Sequence, residues 1–350
     1  MIGRRSWVRS VVGLRLGVLV VCALALDVGR VDAQSVGDVF KKVAPSVVVV
    51  RARGRDVTAE GQSRFVETGS GVLVSKDGKV MTAAHVVHAM DEIAVQFLGG
   101  EAVTARVITS EPDADLSLLQ LERVPPGSAV APMADSDTVE VGDPVIVVGA
   151  PYGLSHSLSV GHISARWAPN TVYRAMPLAE FFQTDAVINT GNSGGPMFTM
   201  KGEVIGIVSH NISRSGGSEG LGFVVTLNTA KRLLFQRRSF WSGMEGLMLS
   251  EELANLLNVP PKTTGYIVKT VVKDSPADQL GLRGGNQMVT ISGEEVPLGG
   301  DIILEVQGIP MGRQTVGKIR DTLSALSSGR PFKVTVLRAG QVVELTGQIP

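Results

Sequence analysis

The sequence has little cysteine, few aromatic residues and no net charge, and each shortage excludes a class of protein. Cys22 is the only cysteine among 350 residues, which argues against a disulfide-stapled extracellular protein. The 33 Lys and Arg residues balance 33 Asp and Glu residues, so charge gives no reason to expect nucleic acid as a partner. No Cys or His/Glu cluster has the spacing of metal ligands, and we expect no metal and no other cofactor.

The N-terminal residues have the pattern of a signal peptide. Four arginines up to Arg15 precede an apolar run at residues 16–26, and Val31-Asp32-Ala33 offers small residues for cleavage. A bilayer span needs about 20 apolar residues, so this run is too short, and an uncleaved membrane anchor is the minor alternative. We therefore predict a signal peptide at residues 1–33, export to the periplasm and no integral membrane span in the mature chain.

Removal of that segment changes the composition of the remaining chain. It takes away Cys22 together with five basic and two acidic residues, which leaves 28 basic against 31 acidic residues and a net charge of about −3. An exported protein without cysteine suits a bacterial envelope compartment.

Glycine is abundant, at 41 residues, whereas aromatic residues make up only 5 %, and this balance favours turn-rich β structure over a helical bundle. Short strand-like runs form two sets that divide after Gly142-Asp143-Pro144. Each set predicts an antiparallel barrel, and a short helix capped by Asn228 is predicted at residues 229–238. Beyond residue 241, short strands mixed with two helices predict a separate small α+β domain.

One glycine-rich stretch, Asn189-Thr190-Gly191-Asn192-Ser193-Gly194-Gly195-Pro196, predicts a nucleophile. A serine flanked by glycines has an uncrowded hydroxyl and a backbone free to take unusual dihedral angles. The Gly191 and Ser193 N–H groups can then converge on one point, which is the geometry of an oxyanion hole. The same letters fit the G-x-S-x-G elbow of α/β-hydrolases, so the motif by itself names no fold.

Chain order separates these two alternatives. In α/β-hydrolases a helix starts directly after the serine, and the acid and the histidine come later. Here Pro196 follows at once, and the one later histidine is His210. His85 and Asp115 lie upstream, which is the His, Asp, Ser order of chymotrypsin-type enzymes. The pattern therefore favours a chymotrypsin-like double barrel with its site at the seam between the barrels.

The chemistry gives each of the three side chains a role. Ser193 must lose a proton near neutral pH, so it needs a base, and His85 can serve with one ring nitrogen free. Asp115 would hold the other ring nitrogen, because it directly precedes the next strand-like run. Asp113 is the competing acid, and His88 is the competing histidine.

Apolar residues occupy the positions where a primary specificity pocket is expected: Val187, Ile188, Ile205 and Ile207. Such a pocket favours a small or aliphatic residue before the scissile bond and discriminates by only about 1–3 kcal/mol per methylene. Asn192 stands where a chymotrypsin-type zymogen switch needs an acid, so activation by propeptide cleavage is not expected.

Across residues 36–350 the chain resembles the HtrA (Deg) serine proteases. The matching stretches are Gly69-Ser70-Gly71-Val72, Thr82-Ala83-Ala84-His85-Val86-Val87, Asp115-Leu116-Ser117-Leu118-Leu119, Val141-Gly142-Asp143-Pro144-Val145, Gln183-Thr184-Asp185, the stretch 191–196 and Gly220-Leu221-Gly222-Phe223. The resemblance implies an ATP-independent serine endopeptidase of the bacterial envelope that degrades misfolded proteins, as a homotrimer with a PDZ domain. The alternative function is a chaperone-like holdase or regulatory adaptor with little or conditional proteolysis.

The same resemblance implies a domain order. It places a protease domain at residues 34–238, a linker at 239–242 and one PDZ domain at 243–350. Trp241, Gly243 and Met244 resemble the loop with which PDZ domains bind a peptide carboxylate. Ser242 and Asn286 depart from the family pattern, which leaves the fold intact and the peptide preference open.

Overall fold

The computed structural model describes residues 35–154, 156–237, 241–261 and 263–349. The predicted signal peptide lies outside the described residues. The described residues from Val36 onward belong to one compact unit. None of the helices in these ranges is long and apolar enough to cross a membrane.

Six antiparallel strands form the first barrel: β1 (Val47–Thr58), β2 (Gly61–Leu73), β3 (Lys79–Thr82), β4 (Met90–Gln96), β5 (Ala102–Glu111) and β6 (Leu116–Leu121). Their order is β1-β2-β3-β6-β5-β4, and β1 closes the barrel by pairing with β4. The turn between β2 and β3 contains Gly78 at φ +90°, a left-handed conformation that glycine adopts without steric cost.

A second barrel follows, built from β7 (Pro144–Gly149), β8 (Ser157–Trp167), β9 (Phe181–Thr184), β10 (Pro196–Thr199), β11 (Val204–Asn211) and β12 (Gly222–Thr226). Its order is β10-β11-β12-β9-β8-β7, and the β10–β7 pair closes it. The prediction of two antiparallel barrels is therefore confirmed.

Separate hydrophobic cores hold the barrels in place. Val80 and Leu119 pack inside the first barrel, and Phe182 packs inside the second. A further core contains Leu118 from the first barrel and Phe198 from the second, so it joins the two. Full burial of each such side chain contributes roughly 1.5–3 kcal/mol, which fixes the seam between the barrels.

Short helices complete this part of the chain: α1 (Val36–Val43), α2 (Ala84–Val87) and α3 (Leu227–Lys231), with 3₁₀ turns at Ala44–Ser46, Pro112–Ala114, Ser136–Thr138 and Pro151–Gly153 and a π-helical turn at Arg232–Gln236. The helix predicted at 229–238 therefore begins earlier and ends earlier. The predicted cap is wrong, because Asn228 lies inside α3 and its Nδ2 donates to Asp135 Oδ1 at 2.7 Å.

Residues 241–261 and 263–349 form a third set of strands and helices after the two barrels, called the third unit below. Its strands are β13 (Met244–Met248), β14 (Tyr266–Val271), β15 (Gln287–Ile291), β16 (Glu294–Leu298), β17 (Ile302–Val306), β18 (Ile309–Pro310), β19 (Pro331–Arg338) and β20 (Gln341–Gln348). Its helices are α4 (Glu251–Leu256), α5 (Pro276–Gln279) and α6 (Val316–Ala325). The main sheet has the order β13-β14-β17-β19-β20, with β18 on β17, and β15 pairs with β16. Ser275 caps α5 by accepting from Asp278 N.

Candidate active site

Asp115 lies at the point where the Pro112–Ala114 turn meets β6. Its backbone is in the left-handed region at φ +54°, which is uncommon for a residue with a side chain and needs support from its surroundings. That support comes from three donors to its carboxylate: His85 N at 3.0 Å, His85 Nδ1 at 2.9 Å and Ser209 Oγ at 2.5 Å. The side chain is only 3 % exposed. Burial raises the pKa of Asp115, but these bonds outweigh burial and lower it, so the carboxylate is ionised.

His85 lies on α2, directly after β3. Its Nδ1 is 2.9 and 3.0 Å from the two Asp115 oxygens, so Nδ1 carries the proton in this pair. Nε2 has no hydrogen-bond partner among the described residues, and 46 % of the side chain is exposed. The ring is therefore held at one nitrogen and open at the other.

Ser193 lies against the segment that carries His85. The Ser193 carbonyl accepts from Ser70 N at 2.8 Å. A Cβ added to the next residue, Gly194, would lie 2.2 Å from Thr82 Oγ1 and 2.7 Å from Ala83 N, so glycine is required for this approach. Ser193 Oγ donates to the Ser209 carbonyl at 3.2 Å rather than to His85.

The backbone around Ser193 presents two unbonded N–H groups. The amides of Asn192, Gly194 and Gly195 donate to carbonyls of the protein at 2.7–3.0 Å. In contrast, the amides of Gly191 and Ser193 have no acceptor in the described part of the chain. Gly191 adopts φ +99°, and a Cβ there would lie 2.3 Å from Ala150 O, so only glycine fits. Two such amides at one turn can stabilise a developing oxyanion.

Two serines outside the predicted triad support this arrangement. Ser70 Oγ donates to Gly191 O at 2.7 Å and accepts from Ala150 N at 2.9 Å, so it holds the Gly191 turn. Ser209 touches both halves of the site, because its carbonyl accepts from Ser193 and its hydroxyl donates to Asp115. Ser70 lies in the stretch Gly69-Ser70-Gly71-Val72, which could have identified it, whereas no motif marks Ser209.

The competing acid and histidine lie elsewhere. Asp113 Oδ2 accepts from Arg320 Nη1 at 3.0 Å, on the third unit. His88 Nδ1 bonds Ser110 Oγ at 2.8 Å, and His88 Nε2 lies 3.1 Å from Met244 O. Neither residue reaches the Ser193 turn.

The residues predicted to form the specificity pocket do not all lie together, which corrects that prediction. Val187 is half exposed and Ile188 is buried beside Gly222, where an added Cβ would lie 2.5 Å from Ile188 Cδ1. Ile205 packs in the core of the second barrel, and Ile207 packs in the core between the barrels, both without exposed surface. They cannot line an open pocket, because strand β11 turns both side chains into cores.

Asn211, farther along β11, hydrogen-bonds to Ile188, in contrast to the expected Ile205 and Ile207. Asn211 Nδ2 donates to Ile188 O at 3.1 Å and to Gly217 O at 3.3 Å, so it ties the segment after Val187 to the loop before β12. Asn211 and Gly222 therefore both lie against Ile188.

The three residues predicted to bind a peptide carboxylate lie where the third unit meets the first barrel. Trp241 Nε1 donates to His88 O, and its ring packs on the first-barrel core. Gly243 has φ +74°, and its carbonyl accepts from Val272 N. The Met244 carbonyl is the one that His88 Nε2 approaches. In the described ranges, no group of His, Cys, Asp and Glu side chains could hold a metal ion.

Comparison with known proteins gives a consistent family pattern. A family model described as a trypsin-like peptidase domain matches residues 69–207. The chain is 36 % identical over 250 residues to a "Probable periplasmic serine endoprotease DegP-like" of Hahella chejuensis, which covers 69 % of this chain and 52 % of that protein. A protein of the same description from Halomonas elongata is 37 % identical over 288 residues, covering 78 % and 54 %. The chain spans about half the length of the curated relatives it matches.

Solved structures of similar proteins cover nearly the whole chain. "HtrA-type protease AlgW with decapeptide" is 27 % identical with a TM-score of 0.52, and the match covers 90 % of this chain and 98 % of that one. "HtrA-type protease AlgW with tripeptide" is 28 % identical with a TM-score of 0.51, and covers 89 % and 96 %.

Proposed function

Because this chain belongs to the HtrA (Deg) family of trypsin-like serine proteases, we propose that it cleaves peptide bonds within unfolded or damaged envelope proteins without ATP. The observation that carries the proposal is the pairing of an ionised, buried Asp115 with His85 Nδ1, beside a serine turn with two unbonded amides. These are the parts that acyl transfer to a serine requires.

The first step would be attack by Ser193. Rotation about its Cα–Cβ bond frees Oγ from the Ser209 carbonyl, and His85 Nε2 accepts the proton as Oγ bonds the substrate carbonyl carbon. Asp115 holds the imidazole in the required tautomer and stabilises the imidazolium. The Gly191 and Ser193 amides would donate to the oxyanion.

The second half returns the enzyme to its starting state. The imidazolium gives its proton to the leaving amine, and an acyl ester remains on Ser193 Oγ. Water, deprotonated by His85, then attacks the ester, and Oγ recovers its proton. While Ser193 Oγ is turned toward the substrate, the Ser209 carbonyl is free to accept an N–H of the substrate backbone.

The pH dependence of this reaction follows from the state of His85. Burial lowers the pKa of His85, but the hydrogen bond and the charge of Asp115 outweigh it and raise the pKa above its ordinary value of 6.5. Only the neutral imidazole acts as base, so kcat/KM should fall as the pH decreases through that raised pKa. We expect the midpoint of the acidic limb on unfolded casein to lie above 6.5. A midpoint clearly below that value would contradict the assigned role of Asp115.

A fluorophosphonate-type reagent tests the nucleophile directly. Diisopropyl fluorophosphate should phosphorylate Ser193 alone, because a serine hydroxyl reacts only when a neighbouring base removes its proton. The Oγ–P bond forms as the P–F bond breaks, and fluoride and the proton leave. Mass spectrometry of the digested protein should find one label per chain, in parallel with loss of casein cleavage. Protein unfolded in guanidinium is the control and should remain unlabelled. Labelling of a different serine in the native protein would exclude this mechanism.

The uncharged residues that meet at Ile188 support a preference for small aliphatic residues before the scissile bond. Ile188 fills the space beside Gly222, and neither these residues nor Asn211 offers a negative charge for Lys or Arg. Peptides that differ only at this position should be cleaved at least about tenfold faster with Val or Ala than with Lys or Arg, since the pocket would bury an unpaired charge. Efficient cleavage after Lys or Arg with inert Val and Ala peptides would reject this preference.

We further propose that the third unit is a PDZ domain that binds peptide C-termini. β13 is an edge strand that pairs only with β14 in the described sheet, so a peptide can add alongside it. The loop of Trp241, Gly243 and Met244 would receive the carboxylate. Because His88 Nε2 lies 3.1 Å from the Met244 carbonyl, an incoming peptide would have to displace that contact.

Location and assembly follow from the same family assignment. The relatives are described as periplasmic, which supports export of this chain to the periplasm after removal of residues 1–33. The family resemblance supports a homotrimer that acts on unfolded protein substrates.

A further inference from the structure

His210 has no part in the mechanism above. It follows Ser209, which bonds Ser193 through its carbonyl and Asp115 through its hydroxyl. In a regular strand, Ser209 and His210 would point to opposite faces. The β11–β12 register shifts between Val208 and His210, so Ser209 is the extra residue of a β-bulge. The bulge brings Ser209 Oγ and His210 Nδ1 to 3.1 Å.

Three aromatic side chains hold the His210 ring. Phe223 stacks on it at 5.2 Å with an interplanar angle of 11°, Tyr173 lies tilted at 4.6 Å, and Phe181 meets it edge-on at 5.6 Å. Nε2 is buried and has no hydrogen-bond partner in the described residues. Burial in this apolar cage lowers the pKa of His210, so the ring is neutral at neutral pH. The charged or titratable groups that act on it are Asp115 and His85, and Tyr173 packs against it.

Proton counting then assigns the tautomer of His210. Ser209 has one hydroxyl proton, and at 2.5 Å from an ionised carboxylate that proton points to Asp115 Oδ2. Ser209 Oγ can therefore only accept from His210, which requires the proton on Nδ1. The neutral ring then has no proton on Nε2, the buried nitrogen without a partner in the described residues.

We propose that His210 is a positioning residue for the acid, because its Nδ1–H holds the Ser209 hydroxyl on Asp115. Without that donor, Ser209 can turn its proton toward Met176 Sδ, a weak acceptor 3.8 Å away. Asp115 thus lies between two imidazoles, His85 directly and His210 through Ser209. This inference rests on the proposed function only for its kinetic consequence.

Two substitutions separate a hydrogen-bonding role from a packing role. His210→Phe keeps an aromatic ring in the cage and removes the donor, whereas His210→Asn keeps a donor near the position of Nδ1 and loses the ring. Loss of one hydrogen bond to this network should lower kcat on casein about tenfold in His210→Phe, with KM within about twofold, while His210→Asn stays close to wild type. His162→Phe, at an exposed histidine of the same barrel, is the matched control and should be unchanged.

The opposite results would overturn the inference. Normal activity of His210→Phe together with impaired His210→Asn would make His210 a packing residue. A change confined to KM would make it a substrate contact. Nitrogen-15 NMR of the histidine rings in the full-length Ser193→Ala protein tests the tautomer without any turnover. A His210 signal protonated at Nδ1 supports the proposal, and one protonated at Nε2 overturns it, even if casein is not a substrate.

Discussion

Replacement of Ser193 by alanine should lower kcat on unfolded casein by about 10⁶, the loss observed when a serine-protease nucleophile is removed. The loss is this large because the base and the acid have no other function once the hydroxyl is absent. His85 has no serine hydroxyl to deprotonate, and the Gly191 and Ser193 amides polarise a carbonyl for which no nucleophile is held in place. Steady-state peptide release from labelled casein is the measurement.

The variant should remain folded and able to bind substrate. Among the described residues, Ser193 Oγ makes a single hydrogen bond, to the Ser209 carbonyl, and the backbone bond from Ser70 N does not depend on the side chain. We expect an unchanged melting temperature. Ser327→Ala, at an exposed serine of the third unit, is the matched control and should retain full activity. Equal peptide release by Ser193→Ala and wild type would exclude Ser193 as the nucleophile.

The barrels can be predicted because many of their strands are rich in β-branched residues and are separated by strong turn residues. Turns such as the one at Gly78 need a positive φ, which glycine supplies, so the positions of these turns can be predicted from the sequence. The β15–β16 hairpin is harder to predict from the sequence, because Val296 is its only fully buried aliphatic residue. The other apolar residues on the face that packs against the core are only partly buried, so the alternation along each short strand is weak.

The site shows the same division between local and long-range signals. Ser193, His85 and Asp115 can be predicted because each stands in a local motif, and the structure places Asp115, not Asp113, against His85. Ser209 could not be selected, because its position depends on a bulge that only the register of β11 and β12 reveals. The misplacement of Ile205 and Ile207 has the same cause: sequence proximity to the site does not tell which core a strand residue faces.

Asp115→Asn should lower kcat by about 10⁴, which corresponds to about 5 kcal/mol of transition-state stabilisation. Asp115 now accepts from His85 N, His85 Nδ1 and Ser209 Oγ. An amide has one accepting oxygen and one donating nitrogen, so it cannot accept from all three, and its NH₂ group favours the His85 tautomer with the proton on Nε2. That tautomer cannot take the proton of Ser193.

The pH profile and a neighbouring acid provide the internal controls for this variant. Loss of the carboxylate charge removes the attraction that raises the pKa of His85, so the acidic limb of kcat/KM should move to lower pH. Asp113→Asn makes the same chemical change two residues away, where the carboxylate binds Arg320 and not His85, and should alter kcat less than about threefold. Only a carboxylate that contacts Nδ1 can fix the tautomer on which proton transfer from Ser193 depends. Loss of activity in Asp113→Asn, with activity kept in Asp115→Asn, would therefore show that the acid is assigned to the wrong residue.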